Sequence, residues 1–209
     1  NNRCNIKHLI VLLIINYFWF KLNTMKKLIY LFLFVSFVSF SQDIQLGNQA
    51  WTAVNLDVTQ YQNGDPIPEV ENLSEWRRLK EGAYCIYEGE KLYNWYAVND
   101  SRGLAPNGYH IPSYSEWMEL LFYLKVPITK NTTSAVLKSS GFYSYNTGIR
   151  DMLIGNSGYK GGYSNWWCID DYDNFKAYHC VVYDARSAEV TTVGGYKGHG
   201  LSVRCIKDR

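Results

Sequence analysis

Several side chains of the 209-residue sequence have types and spacings suited to chemistry. Asp170, Asp171 and Asp173 stand together in DDYDN, where they could begin the oxygen shell that Ca²⁺ requires. Three carboxylates in a turn also make an ordinary solvated loop. That plainer role is the one expected, and no cofactor is assigned. Tyr163, Trp166, Trp167, Tyr172 and Tyr178 lie in YSNWWCIDDYDNFKAYHC and offer flat rings for stacking on the apolar faces of sugars. Side chains alternate along a strand, so at least one of Trp166 and Trp167 must face the core, and Trp166 shares its face with Cys168. His110 invites an acid–base or metal role. No second His or Cys stands at ligand spacing, so a satisfied structural histidine is expected.

The first 41 residues differ from all that follow. Leu9–Phe20 is an uncharged run, and at Met25 a second pattern begins: Lys26 and Lys27, then the apolar Leu28–Phe40. Ser39 and Ser41 give the small-x-small pattern of a cleavage site, so 25–41 reads as a signal peptide cut before Gln42, with 1–24 an upstream extension. A hairpin of two membrane spans is the alternative, but each apolar run falls short of the roughly 20 residues a spanning helix needs. The expected product, 42–209, is secreted or displayed on the cell surface. All 19 Asp and Glu lie in it with 16 of the 21 Lys and Arg, a net charge of −3. With no basic stripe, nucleic acid is an unsuited partner. Its four cysteines, Cys85, Cys168, Cys180 and Cys205, suggest disulfides in an exported chain, and three connectivities are open.

The elements that must position these groups read as one domain. NLSEWRRLKEG suits a short helix capped by Asn72. IPSYSEWMELLFYLKVP carries a Ser113–Glu116 capping box, an apolar face of Trp117, Leu120, Leu121 and Leu124, and a stop at Pro127. AYCIYEGEKLYNWYAV reads as a strand, a turn and a second element. SNWWCI, AYHCVVYD, AEVTTV and LSVRCI read as short strands, so the fold class expected is α+β. The 91–117 stretch, KLYNWYAVNDSRGLAPNGYHIPSYSEW, is crowded with rings and turn residues. Trp95, Tyr109 and Trp117 are expected to be core rings with bonded polar tips, which makes the stretch scaffold and leaves the site to the loops from Phe142 to Tyr196.

LGNQAWTAVNLDV, NGDPIPE, KLYNWYAVND, RGLAPNGYHIPSYSEW, LKSSG, a Trp-Trp strand and GLSVRCIKD occur in the order found in the Fibrobacter succinogenes major paralogous domain, which the chain resembles over about 46–208. The resemblance implies an exported bacterial domain of C-type-lectin-like fold, shared with formylglycine-generating sulfatase-modifying enzymes: two helices on short antiparallel sheets, long loops and paired chain ends. The family's Trp-Trp-Ser-Ser is WWCI here. That departure, set beside Cys180 across DDYDN, leads to an expected Cys168–Cys180 bridge, with Cys85–Cys205 as the second. Such closures stabilise by roughly 3 and 4.7 kcal/mol in a chain-entropy account.

The function expected is non-catalytic binding of a polysaccharide or surface protein through the aromatic late loops. A structural or adhesive surface component is the alternative. An enzyme related to the formylglycine-generating factors is a third reading, opposed by the absence of a Gly-x-Ser-x-Gly, zinc or phosphate-loop motif.

Overall fold

A computed structural model describes residues 19, 21, 43–124, 139–142, 148–157, 163–183, 187–190 and 194–209. The chain divides into two compact units, Asn1–Phe40 and Ser41–Arg209. The expected leader, its cleavage site and Pro127 lie outside the described residues, apart from Trp19 and Lys21, both helical and exposed. Among the described residues no helix is long and apolar enough to cross a membrane.

Among the described residues, the second unit holds three antiparallel sheets and three short helices. The first sheet has the order β1–β2–β13–β5, from Asp43–Leu46, Gln49–Thr52, Ile206–Lys207 and Tyr109–His110. Ile206 lies opposite Trp51 on one side and His110 on the other, so strands from the two ends of this unit are neighbours. The second sheet runs β3–β4–β12–β6–β7, built from Tyr84–Tyr87, Glu90–Asn94, Gly200–Leu201, Ile149–Asp151 and Gly155–Ser157. Its first hairpin turns through Glu88 and Gly89 at φ 52° and 86°, the left-handed pair that a tight two-residue turn demands. In the third sheet β9 (Lys176–Tyr183) is flanked on one side by β8 (Tyr163–Asp171). On the other it carries β10 (Ser187–Val190) and β11 (Gly195–Tyr196) end to end.

Helix α1 (Leu73–Trp76) begins where the Asn72 side chain accepts from the Ser74 and Glu75 amides. Helix α3 (Tyr114–Tyr123) carries the expected capping box and buries Trp117, Leu120 and Leu121. Between them lies α2 (Trp95–Val98), which divides the expected second element into a strand and a helix. Asn94 makes the difference: its side-chain Oδ1 accepts from the Ala97 amide as a cap and also from the Ala83 amide, ending β4 and starting the helix. LSVRCI likewise is not one strand. Residues 202–205 cross between sheets: the Ser202 carbonyl accepts from Trp167 N, Val203 from Leu56 N and Cys205 from Thr52 N.

All six tryptophans after Gln42 are buried. Trp51, Trp117, Phe142 and Trp166 form one aromatic cluster, with Trp51 4.6 Å and Trp166 5.6 Å from Trp117 between ring centres. The opposite face of β8 sends Trp167 into a second cluster with Tyr93, Trp95 and Leu201. Five indole N–H groups donate inside the fold: Trp51 to Gln49, Trp76 to Gly198 O, Trp95 to Cys168 O, Trp166 to Asn55 and Trp167 to Tyr93 O. Trp117 is the exception to the expected bonding of core rings: its N–H has no hydrogen-bond acceptor. Buried Arg204 lies 4.6 Å over Phe142 and donates to Asn55 and to Thr52 O; burial lowers its pKa to about 10.

No disulfide joins the four cysteines, all of them buried, which corrects both expected pairings. Cys85 packs with Trp76 and Leu92, whereas Cys205 belongs to the cluster of Tyr93 and Trp95. Cys168 and Cys180 share a cluster, but the ladder sets Cys180 opposite Trp166.

Candidate functional site

The five rings proposed for stacking do not act as a set. Trp166 and Trp167 are both fully buried, because β8 has core on each face, so neither can meet a ligand. Tyr163 pairs with Tyr183 in the ladder, and its side chain lies outside the described residues. Tyr178 is half-buried between Tyr114 and Tyr172, at 4.9 and 5.3 Å between ring centres. Only Tyr172, of those whose side chains are described, is exposed.

The carboxylate trio is also dispersed. Asp170 accepts from the Tyr114 amide at the start of α3, and Asp171 pairs with Lys197, whose ammonium lies 4.4 Å over Trp95. Asp173 closes its own turn, accepting from the Phe175 and Lys176 amides at 2.7 Å each, and these bonds hold its carboxyl below the usual range. Among the described residues no three His, Cys, Asp or Glu side chains gather as metal ligands.

The surface offered by the late turns is nevertheless apolar, through different residues. Leu153, Ile154, Tyr172, Phe175 and Tyr196 range from 42 % exposed (Tyr172) to 74 % (Ile154). The β6–β7 and β8–β9 turns and the end of β11 carry them, and hydrogen bonds join these segments. Lys197 N donates to Phe175 O, linking the β11–β12 turn to the β8–β9 turn. Met152 N donates to His199 Nδ1, linking β6–β7 to β11–β12. Arg77 in turn donates to the carbonyls of Met152 and Leu153, bracing the β6–β7 turn from α1. A Cβ on Gly198 would come 3.1 Å from the Met152 sulfur, so a larger residue would have to displace that side chain. Exposure in these turns was legible only as Gly and Asp punctuation; nothing in the residue pattern marked Phe175 and Ile154 as outward.

The stretch assigned to scaffold also walls an open cleft of about 680 Å³. Asp100 accepts from the Arg102 backbone and twice from its guanidinium, bonds that hold its carboxyl down at about 2 and lock the turn after α2. Gly103, at φ 79°, lets Gln62 approach; a Cβ there would meet the Gln62 amide at 2.9 Å. On the far wall His110 stands between two carboxylates, with Nε2 2.8 Å from Glu116 and Nδ1 2.8 Å from Asp208. Carboxylates only accept, so the site favours the imidazolium, whose two nitrogens can both donate. Burial alone would lower the His110 pKa, but the bonds to Asp208 and Glu116 outweigh it and raise it. Glu116, which burial would raise, is instead lowered by the Ser113 amide and His110. The structural role expected of His110 is thus a clamp joining β5, α3 and the residue that follows β13.

The chain belongs to the Fibrobacter succinogenes major domain family, whose pattern matches residues 44–207. No curated protein and no solved structure matches it.

Proposed function

We propose that the chain is an exported, non-catalytic binding module of C-type-lectin-like fold that holds a surface protein against the apolar face of its late turns. One observation carries this reading: five exposed apolar side chains on three segments that are hydrogen-bonded to one another and braced from α1. Such a patch costs solubility unless it meets a partner. Leu153 and Ile154 extend it beyond the rings into branched aliphatic surface, which suits a protein face better than a sugar ring.

Two features support a non-catalytic role. Both His110 nitrogens face carboxylates at 2.8 Å, which holds the ring as a clamp between β5, α3 and Asp208. Burial pushes the Cys85 and Cys205 thiols up to about 12 and that of Cys168 higher still, far from thiolate nucleophiles. The helices packed on short sheets and the paired terminal strands support the C-type-lectin-like assignment, and the Met25–Ser41 pattern supports export.

The test compares the full chain with an Ile154→Asp/Phe175→Asp variant, expressed in a bacterium that exports it. Protein recovered outside the cytoplasm should begin at Gln42, and a surface protein retained by the parent should be lost by the variant at an unchanged melting temperature. Equal retention by the variant, or retention of polysaccharide alone, would overturn the surface-protein reading. Recovery only in the cytoplasm would overturn export.

A further inference from the structure

We propose that the 680 Å³ cleft beside α2 and β5 is a separate binding site for a neutral, hydroxyl-rich ligand the size of one or two sugar rings. The volume lies within the range of small-molecule sites, about 300–1,000 Å³. Its floor is apolar: Val98, Leu104 and Ile111 are buried, and Ile169 is half-buried. Its rim is not. Asn99, Ser101 and Ser115 stand exposed around the opening, and the first two side chains make no hydrogen bond among the described residues. An amide and two hydroxyls can each donate and accept, which matches a ligand whose hydroxyls do both.

The charges on the walls select for neutrality. Asp100 is paired with Arg102 at 2.8 Å, and Glu116 with the His110 imidazolium at 2.8 Å. An ionic ligand would have to compete with a partner already in place. A neutral ligand meets a wall whose charges are answered, an apolar floor for its C–H face and a rim for its hydroxyls.

The shape exists before any ligand arrives. The Asp100–Arg102 bonds, the Gln62 bonds to Gly103 O and Ala105 O, and the Ser113–Glu116 capping box hold the walls. Preorganisation of this kind lowers the ordering cost of binding. The adjoining cleft of about 450 Å³ shares the His110–Glu116 wall but is lined by Glu119, Lys207, Asp208 and Arg209, a charged surface of different character.

The experiment titrates the ¹⁵N-labelled chain with glucose, galactose, mannose and N-acetylglucosamine, with their β-linked disaccharides, and with glucose 6-phosphate. At least one neutral sugar should move the Asn99, Ser101 and Gly103 amides saturably. Asn99→Ala should weaken it by about tenfold, the size of one hydrogen bond lost. Ser101→Trp should abolish the shifts by filling the opening. Ser115→Trp does so from the opposite rim if the first variant unfolds. A preference for disaccharides would identify the end of a polysaccharide, rather than a lone sugar, as the source. No shift with any neutral sugar, shifts that persist in both tryptophan variants, or tighter binding of the phosphate would each overturn the proposal. Ile154→Asp/Phe175→Asp should leave these shifts unchanged, which separates this site from the protein-binding face.

Discussion

Two ring-rich regions, 91–117 and 163–196, use their aromatics in opposite ways. The earlier one buries Trp95 and Trp117, keeps Tyr109 half-buried through its bond to Asp43, and folds its polar turns around a hollow. The later one buries both of its indoles completely and pushes Tyr172, Phe175 and Tyr196 outward from tight turns. Indole size decides much of this. A ring that removes 150–250 Å² from water stabilises most when fully enclosed, and its single N–H is easily answered by a carbonyl. The rings left for contact are the smaller ones, on the turns where a strand reverses.

The largest effect should fall on the buried side of that contrast. Trp166→Ala removes a ring from a four-membered cluster and should cost about 3–5 kcal/mol in urea unfolding. A cost below about 1 kcal/mol would mean that the indole is a surface group after all. Asn94→Ala comes next. It strips the cap of α2 and the bonds to Ala83 N and Glu81 O, and should cost about 2 kcal/mol, read as a shift of the same transition.

The His110 clamp should give a smaller, pH-dependent effect. Its raised pKa means that His110 stabilises fully below the unfolded value near 6.5 and that this is lost as pH rises through the folded value. The lowered Glu116 contributes fully above about 4.3 and loses its part as pH falls through its folded value. Between about pH 4.5 and 6.5 both act together. His110→Gln should flatten the decline in melting temperature from about pH 6 to 8, while solvent screening of this part-exposed group keeps the change modest. Smallest of all, Phe175→Asp should alter stability by no more than about 0.5 kcal/mol. A larger loss would make that ring part of the core and erase the contrast.

Local signals in the sequence located elements well and exposure poorly. The Asn72 cap and the Ser113–Glu116 box are read from residues three apart, and both form as expected. Trp166 and Trp167 show the limit. Alternation says that they face opposite ways, but that both faces of β8 are covered depends on Trp117 and Phe142 on one side and Tyr93 and Trp95 on the other, far away in the chain. Spacing could not place the cysteines either: Cys85 and Cys205 enter different core clusters. The cleft was hidden because its floor comes from one segment and its Ile169 from another.

The segment that starts at Gly200 supplies the middle strand of the second sheet, the carbonyl that anchors Trp167, and the strand that joins β2 to β5. The first and second sheets therefore wait for this late segment to be made, whereas the third, β8 to β11, lies wholly before it. A chain made from its amino end would complete the third sheet first and hold the other two open until this late segment joined them.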